Sequence, residues 1–161
     1  MKNKFKEIEV NINPQGVCEI TLNRPDKHNA MSRKMIDELE EVGQHLKSQD
    51  SIRVVFLKAN GKTFCAGGDL NWMKDQEKKS KEGKLVEARA LAKMLATMNS
   101  LPMPLISLVS GSAFGGGLGL ISVSDTVIVS QASKFGLTET RLGLILSLIH
   151  ISEPTRRDQI S

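Results

Sequence analysis

The chain has 161 residues, 40% of them apolar and 25% charged, the proportions of a soluble globular domain with a core of its own. Its 22 basic and 18 acidic residues leave a formal net charge of +4, too mild and too dispersed for a nucleic-acid footprint. The densest basic run, KDQEKKSKEGK (74–84), is broken by acids and lacks aromatics, so it reads as a solvated face with a weak pull on an anionic ligand.

No apolar run approaches the length of a membrane span, and the start, MKNKFKEIEV, mixes Lys and Glu without the apolar centre of a signal peptide. Cys18 and Cys65 show neither metal spacing nor a disulfide pattern. The expectation is a cytoplasmic protein with no membrane or nucleic-acid partner.

In chain order, EIEVNI and VCEITLN flank NPQG and predict a hairpin of two strands. SRKMIDELEEVGQHLKSQ puts Met35, Ile36, Leu39, Val42 and Leu46 at helical spacing, with Ser32 placed to cap the start. RVVFLKA (53–59) predicts a strand. The segment NGKTFCAGGDL reads as a loop, followed by a polar helix from Asn71. KLVEARALAKMLATMNSL predicts a second amphipathic helix, stopped by Pro102 and Pro104. PLISLVS reads as a strand, GGGLGLISV as a short apolar helix and DTVIVS as a last strand. The order β-β-α-β-α-α-β-α-β implies crossover connections and a largely parallel sheet in an α/β fold.

Two glycine loops follow apolar strands: FCAGGDL (64–70) and GSAFGGGLGL (111–120). Neither is a phosphate motif. The Walker pattern needs a glycine five residues before Gly61-Lys62-Thr63, where Phe56 stands, and G-x-G-x-x-G is absent from 111–120. Two explanations stand. The glycines either let helix and sheet pack tightly, or present bare N–H groups that clamp one oxygen from two sides, as an oxyanion hole does. His28, His45 and His150 have no mutual spacing suited to a metal, so no metal site is expected. Cys65 reads as a small packing residue, Asp125 as a structural cap, and Trp72 and Met73 as either core or pocket wall.

GKTFCAGGDLNWM, PLISLVSGSAFGGGLGL and KFGLTETRLGLI, in this order, resemble the crotonase (enoyl-CoA hydratase/isomerase) family, and NRPDKHNAMSRKMIDEL resembles its N-terminal CoA-contacting stretch. The resemblance implies a ββα-superhelix core and an acyl-CoA thioester as substrate, with CoA part of the substrate and no separate cofactor. It puts the two oxyanion donors on the backbone N–H groups of Gly68 and Gly116. It places Lys27 and His28 near the CoA phosphates or pantetheine, and Ala30, Ala66, Gly67, Asp69 and Leu70 along the CoA site. The full-length parent is expected to be a homotrimer or a dimer of trimers.

The familiar hydratases of the family hold water with two glutamates. Glu139 matches one, and Gly119 stands where the other belongs. Members with glycine there that also resemble this chain in NWM and RLGLI include bacterial hydratases of branched, carboxylated enoyl-CoAs such as 3-methylglutaconyl-CoA. Others that lack this glutamate do different chemistry, dehalogenation among it. The resemblance implies hydration by a single glutamate, with an enoyl-CoA isomerase or a non-catalytic acyl-CoA-binding scaffold as alternatives. It runs to Ile145. The expected family domain is 1–145, without the family's C-terminal helical region, and LSLIHISEPTRRDQIS (146–161) is expected to be an artefactual tail.

Overall fold

The computed structural model describes residues 5–137. Strands β1 (Ile8–Ile12) and β2 (Val17–Leu22) form the predicted hairpin, paired antiparallel from Ile8 opposite Leu22 to Ile12 opposite Cys18. Helix α1 (Arg33–Leu46) starts where Ser32 accepts a hydrogen bond from the Met35 N–H. All five residues of its predicted apolar stripe are buried, with Ile36 and Leu39 among the largest side chains closed to solvent. Glu38, also buried on α1, accepts hydrogen bonds from the backbone N–H groups of Lys6, Glu7 and Ile8, which ties the helix to the start of β1.

Strand β3 (Val54–Ala59) pairs parallel with β2, β5 (Leu105–Val109) parallel with β3, and β7 (Thr126–Val129) parallel with β5. The five-stranded sheet thus runs β1-β2-β3-β5-β7 and is parallel beyond its hairpin, as the crossover argument requires. Helix α3 (Lys81–Asn99) packs against α1, burying Met94, Thr97 and Met98, and Ser80 caps it through the Gly83 N–H.

The predicted order omits a second sheet. The segments read as glycine loops contain β4 (Thr63–Cys65) and β6 (Ser112–Phe114), which pair in parallel with β8 (Phe135–Gly136), in a stretch given no element, in the order β4-β6-β8. At two or three residues, none is long enough to show a period of two. Each follows a strand of the larger sheet after a short turn: β4 after β3, β6 after β5, β8 after β7. Helix α2 (Leu70–Glu77) leaves the end of β4, and α4 (Gly116–Ser122) leaves the end of β6. The unit strand, short strand, helix therefore repeats, with its second strands stacked as neighbours.

Candidate functional site

The second sheet brings the two glycine loops together. Because β4 and β6 are adjacent and parallel, the chain leaves both at the same end, one into residues 66–69 and the other into Gly115. The approach is close. A Cβ added to Gly67 would lie 3.2 Å from the Phe114 carbonyl oxygen and 3.8 Å from the Gly116 nitrogen. Gly67 also has φ +99, a conformation that side-chain-bearing residues rarely adopt.

A third segment completes the arrangement. The Met31 N–H donates to the Gly67 carbonyl (2.7 Å) and the Asp69 N–H donates to the Met31 carbonyl (2.9 Å), making one parallel bridge between Met31 and Gly68. In such a bridge the flanking residues make both bonds, so the N–H of Gly68 itself turns away from Met31. The Ala66 N–H is taken by the His28 carbonyl at 3.0 Å. Gly116 is the first residue of α4, where an N–H has no partner within the helix. Gly68 and Gly116 are half-buried, whereas Gly67, Gly115 and Gly117 are buried. Two backbone donors thus sit at the edge of a packed surface.

Residues 24–31 are fixed by a polar network. Asn29 is fully buried with φ +52, which asparagine tolerates better than most residues. Its side chain accepts from the Arg24 N–H and donates to the carbonyls of Asn60 and Thr63, each at 2.8 Å. The Arg24 guanidinium donates to the Ala30 carbonyl (2.6 Å) and to Asp69 (3.0 Å), and pairs with Glu7 (3.3 Å). Burial pushes the Asp69 carboxyl up. Hydrogen bonds from the Trp72 N–H, Arg24 and the Asn71 N–H outweigh it and hold the group below its ordinary pKa. Asp69 is therefore the cap of α2 and an anchor for Arg24.

Lys27 and His28 lie exposed at the end of a short 3-10 helix (Pro25–Lys27), and the His28 ring meets the Thr63 hydroxyl at 3.2 Å. Ala30 and Ala66 are half-buried on either side of the bridge, and Leu70 is exposed at the start of α2. The structure thus gathers Lys27, His28, Ala30, Ala66, Gly67, Gly68, Asp69, Leu70 and Gly116 around three touching segments. Glu139 and the tail from Leu146 lie outside the described residues.

Trp72 and Met73 flank Gly68. A Cβ there would lie 3.1 Å from the Met73 sulfur and 3.9 Å from a ring carbon of Trp72. Cys65 is wholly buried, and burial pushes its thiol up to about 11, so it is a packing residue. Asp125 accepts from the Leu105 N–H at 2.8 Å and is structural, as its position suggested. Sequence reasoning missed Arg24, Asn29, Met31 and Glu87. For the first two, the signal was polar residues set beside an expected ligand contact in NRPDKHNA.

Among the described residues, no three His, Cys, Asp or Glu side chains cluster as a metal site would need, and no helix is long and apolar enough to cross a membrane. A groove of about 470 Å³ lies on the face of β1–β3 that carries Glu9, Glu19 and Lys58, and its lining includes none of the candidate residues.

The enoyl-CoA hydratase/isomerase family model matches residues 13–152. YngF of Bacillus subtilis (strain 168) is 40% identical over 128 residues, covering 78% of this chain and 48% of YngF. The human mitochondrial enoyl-CoA hydratase domain-containing protein 2 is 33% identical over 132 residues, covering 81% of this chain and 44% of its own length. The crystal structure of an enoyl-CoA hydratase from Shewanella pealeana superposes with a TM-score of 0.89 at 41% identity, covering 94% of this chain and 57% of that one. The chain spans about half the length of the curated relatives it matches. With the paired glycine loops in the sequence, the parallel sheets in the structure and these matches, the chain belongs to the enoyl-CoA hydratase/isomerase family.

Proposed function

We propose that this chain carries the acyl-CoA thioester site of an enoyl-CoA hydratase-like lyase. The observation that carries the reading is the convergence of the Gly67–Gly68 turn on Gly116, with the Gly68 N–H turned away from its bridge and Gly116 at a helix start. Two backbone donors from separate loops can hold one oxygen as it gains charge. A thioester carbonyl becoming an enolate is such an oxygen. Lys27 and His28 are exposed where phosphates or pantetheine of CoA would pass, and Ala30, Ala66, Gly67, Asp69 and Leu70 line the approach.

In this reading Glu139 takes a proton from water as the hydroxyl adds to the β-carbon. The electron pair of the double bond moves onto the thioester oxygen, held by Gly68 and Gly116. Glu139 then returns the proton to the α-carbon, so the carboxylate is regenerated. Gly119 is buried within α4 and adds no carboxylate. It leaves space that favours a branched, carboxylated acyl group such as 3-methylglutaconyl. The same absence favours a second reading. An isomerase needs a single base to move a proton between carbons, and one glutamate suffices for that.

Loss of thioester conjugation on adding a branched carboxylated or a straight short enoyl-CoA tests the proposal. Hydration of the branched substrate is expected to be faster, and Glu139→Gln is expected to slow it at least about a hundredfold with binding retained. A double bond that shifts without gain of water selects the isomerase. Binding of both thioesters without any turnover selects a scaffold and refutes the enzyme.

A further inference from the structure

Helix α2 forms the wall beside Gly68, yet none of its residues is buried. Its apolar hold is partial: of its residues, Trp72 packs half-buried against the core. Asp69 fixes its first turn through the cap and Arg24. Its second anchor is polar as well: the Trp72 indole N–H donates to Glu87 of α3 at 3.0 Å.

Glu87 is an unusual residue for its place. Its side chain is 7% exposed, on the helix face that also buries Met94, Thr97 and Met98. A carboxylate there must be fully partnered. One oxygen accepts from both the Trp72 indole and the Arg33 guanidinium (3.0 Å), and the other pairs with Lys79. Partners thus come from α1, α2 and the link between α2 and α3. Glu87 touches Trp72, and a Trp72 ring carbon lies 3.9 Å from the place a Gly68 Cβ would take.

We propose that Glu87 is a positioning residue for the thioester site, acting through its hydrogen bond to Trp72 to hold the indole as a fixed wall against Gly68. This rests on the functional reading above. Arg33 and Lys79 neutralise the carboxylate so that it can stay buried and charged. The indole N–H bond fixes the ring's orientation beyond what its partial packing against the core supplies.

Trp72 is the chain's one tryptophan, so its fluorescence reports the wall directly. Glu87→Gln keeps an acceptor for the indole and loses the charge; Glu87→Leu loses both. In the full chain, Leu is expected to increase quenching of Trp72 by acrylamide and to raise KM for an enoyl-CoA about tenfold, with kcat changed less than about threefold. Gln is expected to restore both the quenching and KM. Trp72→Phe, which keeps a ring without the N–H, is expected to raise KM similarly, and Glu87→Leu added to it to change KM little further. Unchanged KM in a folded Leu or Phe variant overturns the proposal, as does a Gln variant as impaired as Leu. A wild-type chain that binds no CoA thioester overturns the functional reading and this proposal with it. One that binds, with the variants unaltered, overturns this proposal alone.

Discussion

Gly117 stands flush against Cys65: a Cβ on the glycine would lie 2.7 Å from the cysteine carbonyl oxygen and 2.9 Å from its Cβ. Both obstacles belong to the rigid end of β4, so neither can swing aside. Gly117→Ala is therefore expected to push α4 off the second sheet and to destabilise the fold by about 1–3 kcal/mol, the usual range for overpacking. Chemical denaturation measures this, and an unchanged unfolding free energy would show that the two loops have slack.

Asn29 joins the N-terminal segment to the turn that precedes β4 and to Thr63 within it. Asn29→Ala removes one acceptor and two donors from a fully buried site, stranding the Arg24 N–H and two carbonyls. It also puts alanine at φ +52, where asparagine is better tolerated. A loss of about 2–5 kcal/mol is expected, since each stranded buried group costs about 1–3 kcal/mol and water recovers part of it. Asn29→Asp keeps the acceptor but sets a carboxylate oxygen against the Asn60 and Thr63 carbonyls in a buried site, and is expected to be no more stable than alanine. Equal stability of alanine and wild type in urea titrations would refute the network.

The larger sheet could be read from the chain because its signals are local. Val54–Ala59 and Leu105–Val109 are apolar runs bounded by turns, and the α1 stripe repeats at helical spacing. The smaller sheet could not. Among the described residues, Thr63–Cys65 and Ser112–Phe114 make their sheet with each other and with Phe135–Gly136, and pairing across such distances leaves no trace in a window of a few residues. The glycines at 67, 68 and 116 were legible because strained turns and close approach demand that residue type. The Glu87–Trp72 link was not, because a glutamate on a helix is an ordinary surface residue until its neighbours are known.

Burial raises the Glu87 carboxyl, yet the hydrogen bonds from Lys79, Trp72 and Arg33 outweigh it and hold its pKa at about 2, against an ordinary 4.5. A depressed folded pKa contributes stability fully above the unfolded value and loses it as pH falls through the folded one. The contribution is therefore complete above about pH 5 and fades between about pH 4.5 and 2. Arg33 and Lys79 are more than a third exposed, so water screens the pairs and about 1–2 kcal/mol is the expected size. Unfolding free energies at pH 6 and pH 3 should fall less for Glu87→Gln than for wild type. Identical slopes would mean that the carboxylate has the same affinity for protons folded and unfolded.

The role of Gly116 can be separated from its size. It is the first residue of α4, the helical position at which proline is best accepted, because the N–H there has no helical partner to lose. Gly115 before it sits at φ 47 and ψ −119, outside the helical region that a following proline disfavours. Among the described residues, a Cβ on residue 116 meets the Met31 side chain, first at its terminal methyl, and that flexible end can rotate away. Gly116→Ala and Gly116→Pro thus share the crowding of Met31, while only proline removes the N–H. If this group holds the thioester oxygen, alanine is expected to keep turnover within about tenfold and proline to lose about 10²–10³-fold, the usual effect of deleting one oxyanion donor. Circular dichroism and thermal melts establish that both variants fold. Steady-state rates on an enoyl-CoA then compare them, and matched losses in two folded variants would sink the donor role and leave Gly116 as a packing glycine.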